Sequence, residues 1–330
     1  MAGRELVGWR DIERAARDLE GTIVRTPLLR APWLEERVGG EVALKCENLQ
    51  RAGAFKIRGA YTMVARLSAA DRAKGVIAYS SGNHAQGVAL AARLFGIECV
   101  VVMPTTAPAV KVEGAKRLGA EVILEGTTSL ERQTRAEREA RDRNLTIVPA
   151  FDHPDIIAGQ GTVGVEILED WAEVEQVLVP IGGGGLISGV AAWIKAKKPA
   201  CRVIGVEPEA ANAMALSKAA GTPVTIPSKP TIADGLMPVR PGDLTLAHCI
   251  AHVDEILLVS DDEIRAATHL LLATGKLVVE FSGAATVAAL LSGRLSGGAR
   301  RTAAVLSGGN LDPARALALL DGARPEPVAV

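Results

Sequence analysis

The feature that most limits what this chain can fold into is a rhythm. Short, nearly continuous apolar runs recur at residues 76–79, 99–103, 121–124, 176–180, 202–206, 255–259 and 302–307. Such runs fit strands buried on both faces of a parallel sheet, because a strand with one wet face alternates apolar and polar residues instead. Between them lie helix-like patterns at 86–95, 108–118, 129–143, 156–171, 186–197, 261–274 and 283–291. This repetition specifies an α/β fold, with parallel-type sheets flanked by helices. Aromatic residues are only 3% of a chain that is 48% hydrophobic, so the core must be aliphatic, as packed α/β layers allow.

At 330 residues the chain is long enough for two packed lobes. One strand set falls near 76–124 and a second near 176–307. We read a small domain, 73–149, inserted into a large one made of 1–72 and 150–330. Only a short Pro-containing tail follows the last strand and helix, so no separate regulatory domain is expected.

Net charge is −1, which argues against general binding of nucleic acid or acidic membranes. Cys46, Cys99, Cys201 and Cys249 lack the spacing of a zinc ribbon or redox dithiol and read as free thiols. The first twenty residues are charged and amphipathic, without the apolar centre of a signal peptide. No apolar run approaches a membrane-spanning length, so a cytoplasmic location is expected.

Four segments carry candidate chemistry. In the first, Lys56 stands between Phe55 and Ile57. A buried lysine is an uncharged nucleophile suited to Schiff-base chemistry, although a lysine in such a setting more often snorkels to the surface. In the second, Ser80, Ser81, Gly82, Asn83, His84 and Gln86 crowd the turn between a strand and a helix. Open N–H groups at a helix N-terminus there suit a carboxylate, where an ordinary cap needs only one such residue. The third is the run Gly182, Gly183, Gly184, Gly185 followed by Leu186, again between strand and helix. Without side chains in the way, several N–H groups can wrap a phosphate; the run lacks the Lys-Ser/Thr of a P-loop and the spacing of a dinucleotide fingerprint. The fourth, Ser307-Gly308-Gly309-Asn310, ends the last strand, where α/β sheets bind ligands.

Together these segments resemble those of fold-type II pyridoxal-5′-phosphate (PLP) enzymes, the group with tryptophan synthase β, and within it the threonine/serine dehydratase and serine racemase branch. The resemblance runs from about Arg25 to Asp312 and includes Arg25-Thr26-Pro27-Leu28, Lys45-Cys46-Glu47-Asn48-Leu49-Gln50, Ala158-Gly159-Gln160-Gly161-Thr162 and Thr231-Ile232-Ala233-Asp234-Gly235. It implies that Lys56 carries the cofactor as a Schiff base and then acts as the base at Cα. Asn83 would bond the cofactor's phenolic oxygen, and Gly182 to Gly185 with Leu186 would hold its phosphate. Ser307 would face the pyridine nitrogen, Phe55 would lie beside the ring and Glu280 near its nitrogen-bearing edge. Ser80, Ser81, Gly82, Asn83 and His84 would cradle the substrate carboxylate.

A hydroxyl at Ser307 leaves the ring nitrogen essentially neutral, where a carboxylate would stabilise a pyridinium. A weaker electron sink favours prompt loss of a β leaving group over transamination. The expected reaction is therefore β-elimination from L-threonine or L-serine, giving a 2-oxo acid and ammonia. The expected partners are that small amino-acid substrate and further copies of the chain, as a homodimer or homotetramer.

The chain also departs from the pattern it resembles. Ala54 replaces the usual serine before Phe-Lys, and Phe281 replaces the usual proline after Glu280. Ser81 stands where many threonine dehydratases carry alanine, while serine racemase and hydroxyaspartate dehydratases carry serine. A racemase needs a second acid or base opposite the lysine, so Ser81 keeps racemisation open. Many relatives bind a divalent cation; Glu207 and Ala211 match two of its ligand positions, but Ala213 supplies no anionic oxygen at the third. His248 and His252, four apart around Cys249, read as a surface or partly buried pair rather than metal ligands. Rival readings are a dehydratase of hydroxyaspartate or phenylserine, a serine racemase, a β-replacing enzyme and a non-catalytic phosphometabolite-binding protein.

Overall fold

In the computed structural model, residues 5–80, 82–107, 109–297 and 300–320 are described. They contain two sheets. The strands are β1 Leu28–Arg30, β2 Val42–Lys45, β3 Val76–Tyr79, β4 Cys99–Met103, β5 Glu121–Leu124, β6 Thr146–Ile147, β7 Gln176–Pro180, β8 Arg202–Pro208, β9 Glu255–Val259 and β10 Thr302–Val305. The larger sheet has the order β1-β2-β10-β7-β8-β9 and the smaller β5-β4-β3-β6. Every pairing is parallel except β1 with β2 at one edge.

The apolar runs form strands because both of their faces find partners. In β7, Val177 and Val179 join one aliphatic core while Leu178 joins another on the opposite face. In β3, Val76 and Ala78 face one core and Ile77 the other. β3 and β7 are thus covered on both faces, which is why their sequences do not alternate, while β5 at its sheet's edge stays partly exposed. The expected α/β fold with two mostly parallel, helix-flanked sheets is the observed one. All seven runs named from the sequence are strands, though the last ends at Val305 rather than 307.

Three strands escaped the pattern: β1, β2 and β6. The first is three residues long and half-exposed, the last has only two residues, and β2 ends in a buried lysine. Among helices, Trp9–Leu19, Pro32–Val38, Lys56–Arg66, Ala69–Lys74, Ala213–Ala220, Asp243–His252 and Pro313–Leu320 join those expected. No described helix is long and apolar enough to cross a membrane.

This topology gathers loops. The glycine run follows β7 and Ser307 follows its neighbour β10, so both lie at the carboxyl edge of the larger sheet. Ser80 follows β3 at the same edge of the smaller sheet, just before the helix Asn83–Phe95. Ligands of open α/β sheets bind at these edges.

Candidate active site

The site is assembled by a short antiparallel contact. Ala54 pairs with Gly308 as an isolated bridge, the Phe55 N–H donates to the Ser307 carbonyl at 3.1 Å, and the Gly309 N–H donates to the Gly53 carbonyl at 2.8 Å. The stretch before Lys56 is therefore zipped to the stretch after β10. Gly53 has φ of 70°, a left-handed turn that glycine adopts without a Cβ clash, and its Cα faces the Asn310 side chain closely.

Lys56 opens the helix Lys56–Arg66. Its Nζ donates to the Ala150 carbonyl at 2.8 Å and lies 5.1 Å from the centre of the Phe55 ring. Burial pushes its ammonium down to about 8, against the pull of the Glu280 carboxylate. Near neutral pH a useful fraction of this amine is uncharged and nucleophilic.

Asn83 and Glu280 meet directly. Asn83 Nδ2 donates to Glu280 Oε1 at 2.5 Å, and Asn83 Oδ1 accepts from Asn310 Nδ2 at 2.8 Å. Burial, then the negative charge of Asp234, push the Glu280 carboxyl up to about 7. Gly308 makes room for this group: a Cβ there would fall 2.2 Å from Glu280 Oε1.

The glycine run closes the other side. A Cβ on Gly183 would fall 2.2 Å from the Phe151 ring, and Gly184 has φ of 96° with Thr245 and Met214 against its Cα. The Gly183 carbonyl accepts from Thr245 Oγ1 at 2.7 Å, which fixes the loop from outside. Among the described residues, the N–H groups of Gly182, Gly183 and Gly184 donate to no protein acceptor. Gly183 and Gly184 are buried and Gly182 partly so, and unpaired N–H groups on such a loop suit a ligand with acceptor oxygens. Gly185 and Leu186 start the following helix, whose first N–H groups have no partner within the helix.

Ser307 is 4% exposed, beside Phe55. Ser80 Oγ accepts from the Gly82 N–H at 3.4 Å, and Gly82 caps the helix that begins at Asn83. The His84 ring turns away, with Nε2 2.9 Å from the Val148 carbonyl; burial, then the nearby Lys56 cation, push it down to about 3. The imidazole is thus neutral and structural, while its backbone N–H stays at the helix start. Ser81 lies outside the described residues.

A lysine amine, three unpaired glycine N–H groups and a hydroxyl at one strand edge match an aldehyde, a phosphate and a pyridine nitrogen on a single molecule. The sequence agrees: residues 19–308 match the model of the pyridoxal-phosphate dependent enzymes. The chain belongs to that family. This PLP-dependent enzyme is 47% identical over 302 residues to the L-threonine ammonia-lyase of Thermotoga maritima, covering 92% of this chain and 75% of the relative. It is 44% identical to the catabolic L-threonine dehydratase TdcB of Escherichia coli strain K12, covering 92% of this chain and 93% of that one. Its fold is similar to maize serine racemase with a TM-score of 0.92, at 37% identity, over 96% of this chain and 98% of the other. The PLP enzyme thus sits in the fold-type II group, in its threonine dehydratase and serine racemase branch.

The donor set at Glu207 does not fit a divalent cation. Both carboxylate oxygens accept backbone N–H groups, from Met214 at 2.9 Å and Ala215 at 2.8 Å, so Glu207 caps the helix Ala213–Ala220. Ala211 and Ala213 are both buried, Ala213 brings no side-chain oxygen, and no cluster of three or more His, Cys, Asp or Glu ligands occurs among the described residues. His248 Nε2 accepts from the Val7 N–H at 3.1 Å, which ties the N-terminal segment down.

Several contributors carried no sequence signal. Ala150 offers only a carbonyl and Phe151 only a ring face. Thr245 sits on the helix Asp243–His252, whose first N–H groups Asp152 accepts. Asn310 belonged to a segment already singled out, but its partner Asn83 lies 227 residues away in sequence.

Proposed function

We propose that this enzyme is an ammonia-lyase that eliminates the β-hydroxyl of L-threonine, L-serine or both, releasing ammonia and a 2-oxo acid. The observation that carries this reading is the Phe55–Ser307 junction, which ties the residue before Lys56 to a strand end carrying a hydroxyl rather than a carboxylate. Two relatives named for L-threonine support threonine as the substrate class.

In this reading the residues divide the work. When bound, PLP supplies an electron sink for charge developing at Cα. Lys56 anchors the cofactor, and its lowered basicity suits it to take up the α-proton near neutral pH. Gly182, Gly183 and Gly184 hold the phosphate by N–H groups, with Gly185 and Leu186 adding the helix start. Ser80, Gly82 and the first turn of Asn83–Phe95, with the His84 N–H, hold the substrate carboxylate. Asn83 Nδ2 has a second hydrogen for the phenolic oxygen, and the Glu280 contact fixes which way that amide points. Ser307 would face the ring nitrogen, and Phe55 would pack beside the ring. The division into 1–72 with 150–330 and an inserted 73–149 belongs to the proposal, supported by sheet membership, as do a cytoplasmic location and a homodimer or homotetramer.

A panel of β-hydroxy amino acids, including hydroxyaspartate and phenylserine, scored for ammonia and 2-oxo acid, tests the reading; release from none of them overturns it. The likeness to maize serine racemase favours a second reaction, racemisation, for which the sequence offers Ser81 as a second acid or base. Elimination dominates in this proposal, so D-serine should appear from L-serine more slowly than pyruvate.

A further inference from the structure

Two residues beyond Lys56, Arg58 joins a buried charge cluster that the proposed chemistry does not use. Lys45, Glu47 and Arg58 have side chains with no exposure, and that of Glu166 is 10% exposed. Arg58 Nε and Nη2 donate to Glu47 at 2.8 and 2.7 Å. Arg58 Nη1 and Nη2 donate to Glu166 at 2.7 and 3.0 Å, and Nη1 also donates to Thr162 Oγ1 at 3.0 Å. All five N–H groups of the guanidinium are thereby engaged. Lys45 Nζ donates to Glu166 Oε2 at 2.5 Å and to the Thr26 carbonyl at 2.6 Å, and Thr26 Oγ1 donates to Glu47 at 2.5 Å. Two cations meet two anions inside the cluster, and the partly exposed Asp170 lies a further 3.9 Å from Lys45 Nζ.

We infer that this network is a positioning device for Lys56. Burying four charges is a poor way to gain stability, since well-packed apolar groups of similar volume often serve as well. What such a network does provide is a single geometry, because a guanidinium held at five N–H groups cannot rotate or slide. Arg58 lies two residues after Lys56, in the first turn of the same helix. Its acceptors Thr162 and Glu166 lie on the helix Pro154–Asp170, which begins just after Ala150, the residue whose carbonyl holds the Lys56 amine. The two helices are also pressed together through glycine: a Cβ on Gly159 would fall 2.5 Å from the Arg58 carbonyl, and one on Gly59 would fall 2.9 Å from the Ile156 carbonyl. Rotation of the Lys56 helix against its neighbour would therefore separate Lys56 from Ala150, and Arg58 is the group that prevents it. Thr26, Lys45, Glu47, Arg58, Thr162 and Glu166 are positioning residues in this sense; none reaches substrate or cofactor.

The inference rests on Lys56 as the cofactor lysine, so the test separates the two. In the double variant R58M/E166M one charge of each sign leaves together, so the cluster's net charge is kept, although Lys45 and Glu47 stay buried without their ion-pair partners. The expected protein is folded, with a KM within about threefold of the parent but a kcat lower by about a hundredfold, the scale of an ångström-sized misplacement. Independently of turnover, the rate at which its apoenzyme captures added PLP, followed by Schiff-base absorbance, should fall about tenfold. The milder T162V removes one acceptor and no charge; about threefold losses of kcat and capture rate are expected, with the melting temperature nearly unchanged. Lowered thermal stability with kcat and capture rate kept within a factor of about 1.5 in T162V overturns the inference, whether or not the double variant folds. If K56A captures PLP as the parent does, it is the assignment of Lys56 that fails instead.

Discussion

The Phe55 N–H donates to the Ser307 carbonyl across 3.1 Å, joining residues that are 252 positions apart in the chain. Through that one bond the lysine-bearing turn inherits the position of β10, a central strand with parallel neighbours on both sides. The backbone leading into Lys56 is thus tied to the interior of the larger sheet, while its amine is held by the Ala150 carbonyl.

Replacing Lys56 by alanine should leave the fold intact and remove the chemistry. The lysine's amine is buried at a desolvation cost, so its loss relieves rather than adds strain. Loss of the covalent anchor and of the base should lower kcat by at least about a thousandfold. The visible Schiff-base absorbance should vanish while the melting temperature of the apoenzyme holds or rises. Unchanged absorbance would show that another amine binds the cofactor.

The apoenzyme should capture PLP faster as pH rises. Only the neutral amine attacks an aldehyde, and the Lys56 ammonium is pushed down to about 8, so the rate should climb through that pH and then level. Glu280 acts in the opposite direction to burial by favouring the ammonium. E280Q should therefore move the midpoint to lower pH. Stopped-flow capture between pH 6 and pH 10 reads both; a shift upward in E280Q would contradict the charge argument.

Much of this site was legible, for a physical reason. A phosphate needs bare N–H groups and an amine needs a lysine, and both leave marks in a linear sequence: four consecutive glycines and a lysine flanked by apolar residues. The buried strands were equally plain, because strands with two covered faces carry unbroken aliphatic runs. What could not be read is what depends on distant partners. Lys45 looks unfit for a central strand until Glu166, 121 residues later, is seen to neutralise it. The direction of the His84 ring, toward the Val148 carbonyl and away from the carboxylate cradle, follows from a partner 64 residues away, just after β6, and not from local pattern. The capping role of Glu207 was hidden because its acceptors are used by backbone N–H groups.

The glycine run should tolerate no side chain at Gly183. A methyl there would meet the Phe151 ring at 2.2 Å, and relief requires moving either the ring or the loop. Overpacking of this kind costs about 1–3 kcal/mol. G183A should bind PLP about ten- to a hundredfold more weakly, by titration of the apoenzyme, because the displaced loop is the one whose N–H groups are unpaired. Restored affinity in G183A combined with Phe151→Ala would confirm the ring as the obstacle; equal affinity of G183A and parent would show the loop does not hold the phosphate.

Glu207 should make the protein less stable in alkali. Burial pushes its carboxyl up to about 8, and the Met214 and Ala215 N–H groups only partly offset that. A folded-state pKa raised above the unfolded value of 4.5 means that the folded chain binds this proton more tightly. The corresponding stability is fully present below about pH 4.5 and is lost as pH rises through about 8. E207Q keeps an acceptor oxygen for the helix start but cannot ionise. Its melting temperature should equal or trail that of the parent at pH 5 and overtake it at pH 9. A constant difference between the two pH values would show that the carboxylate is ionised throughout and that the backbone N–H groups hold it so.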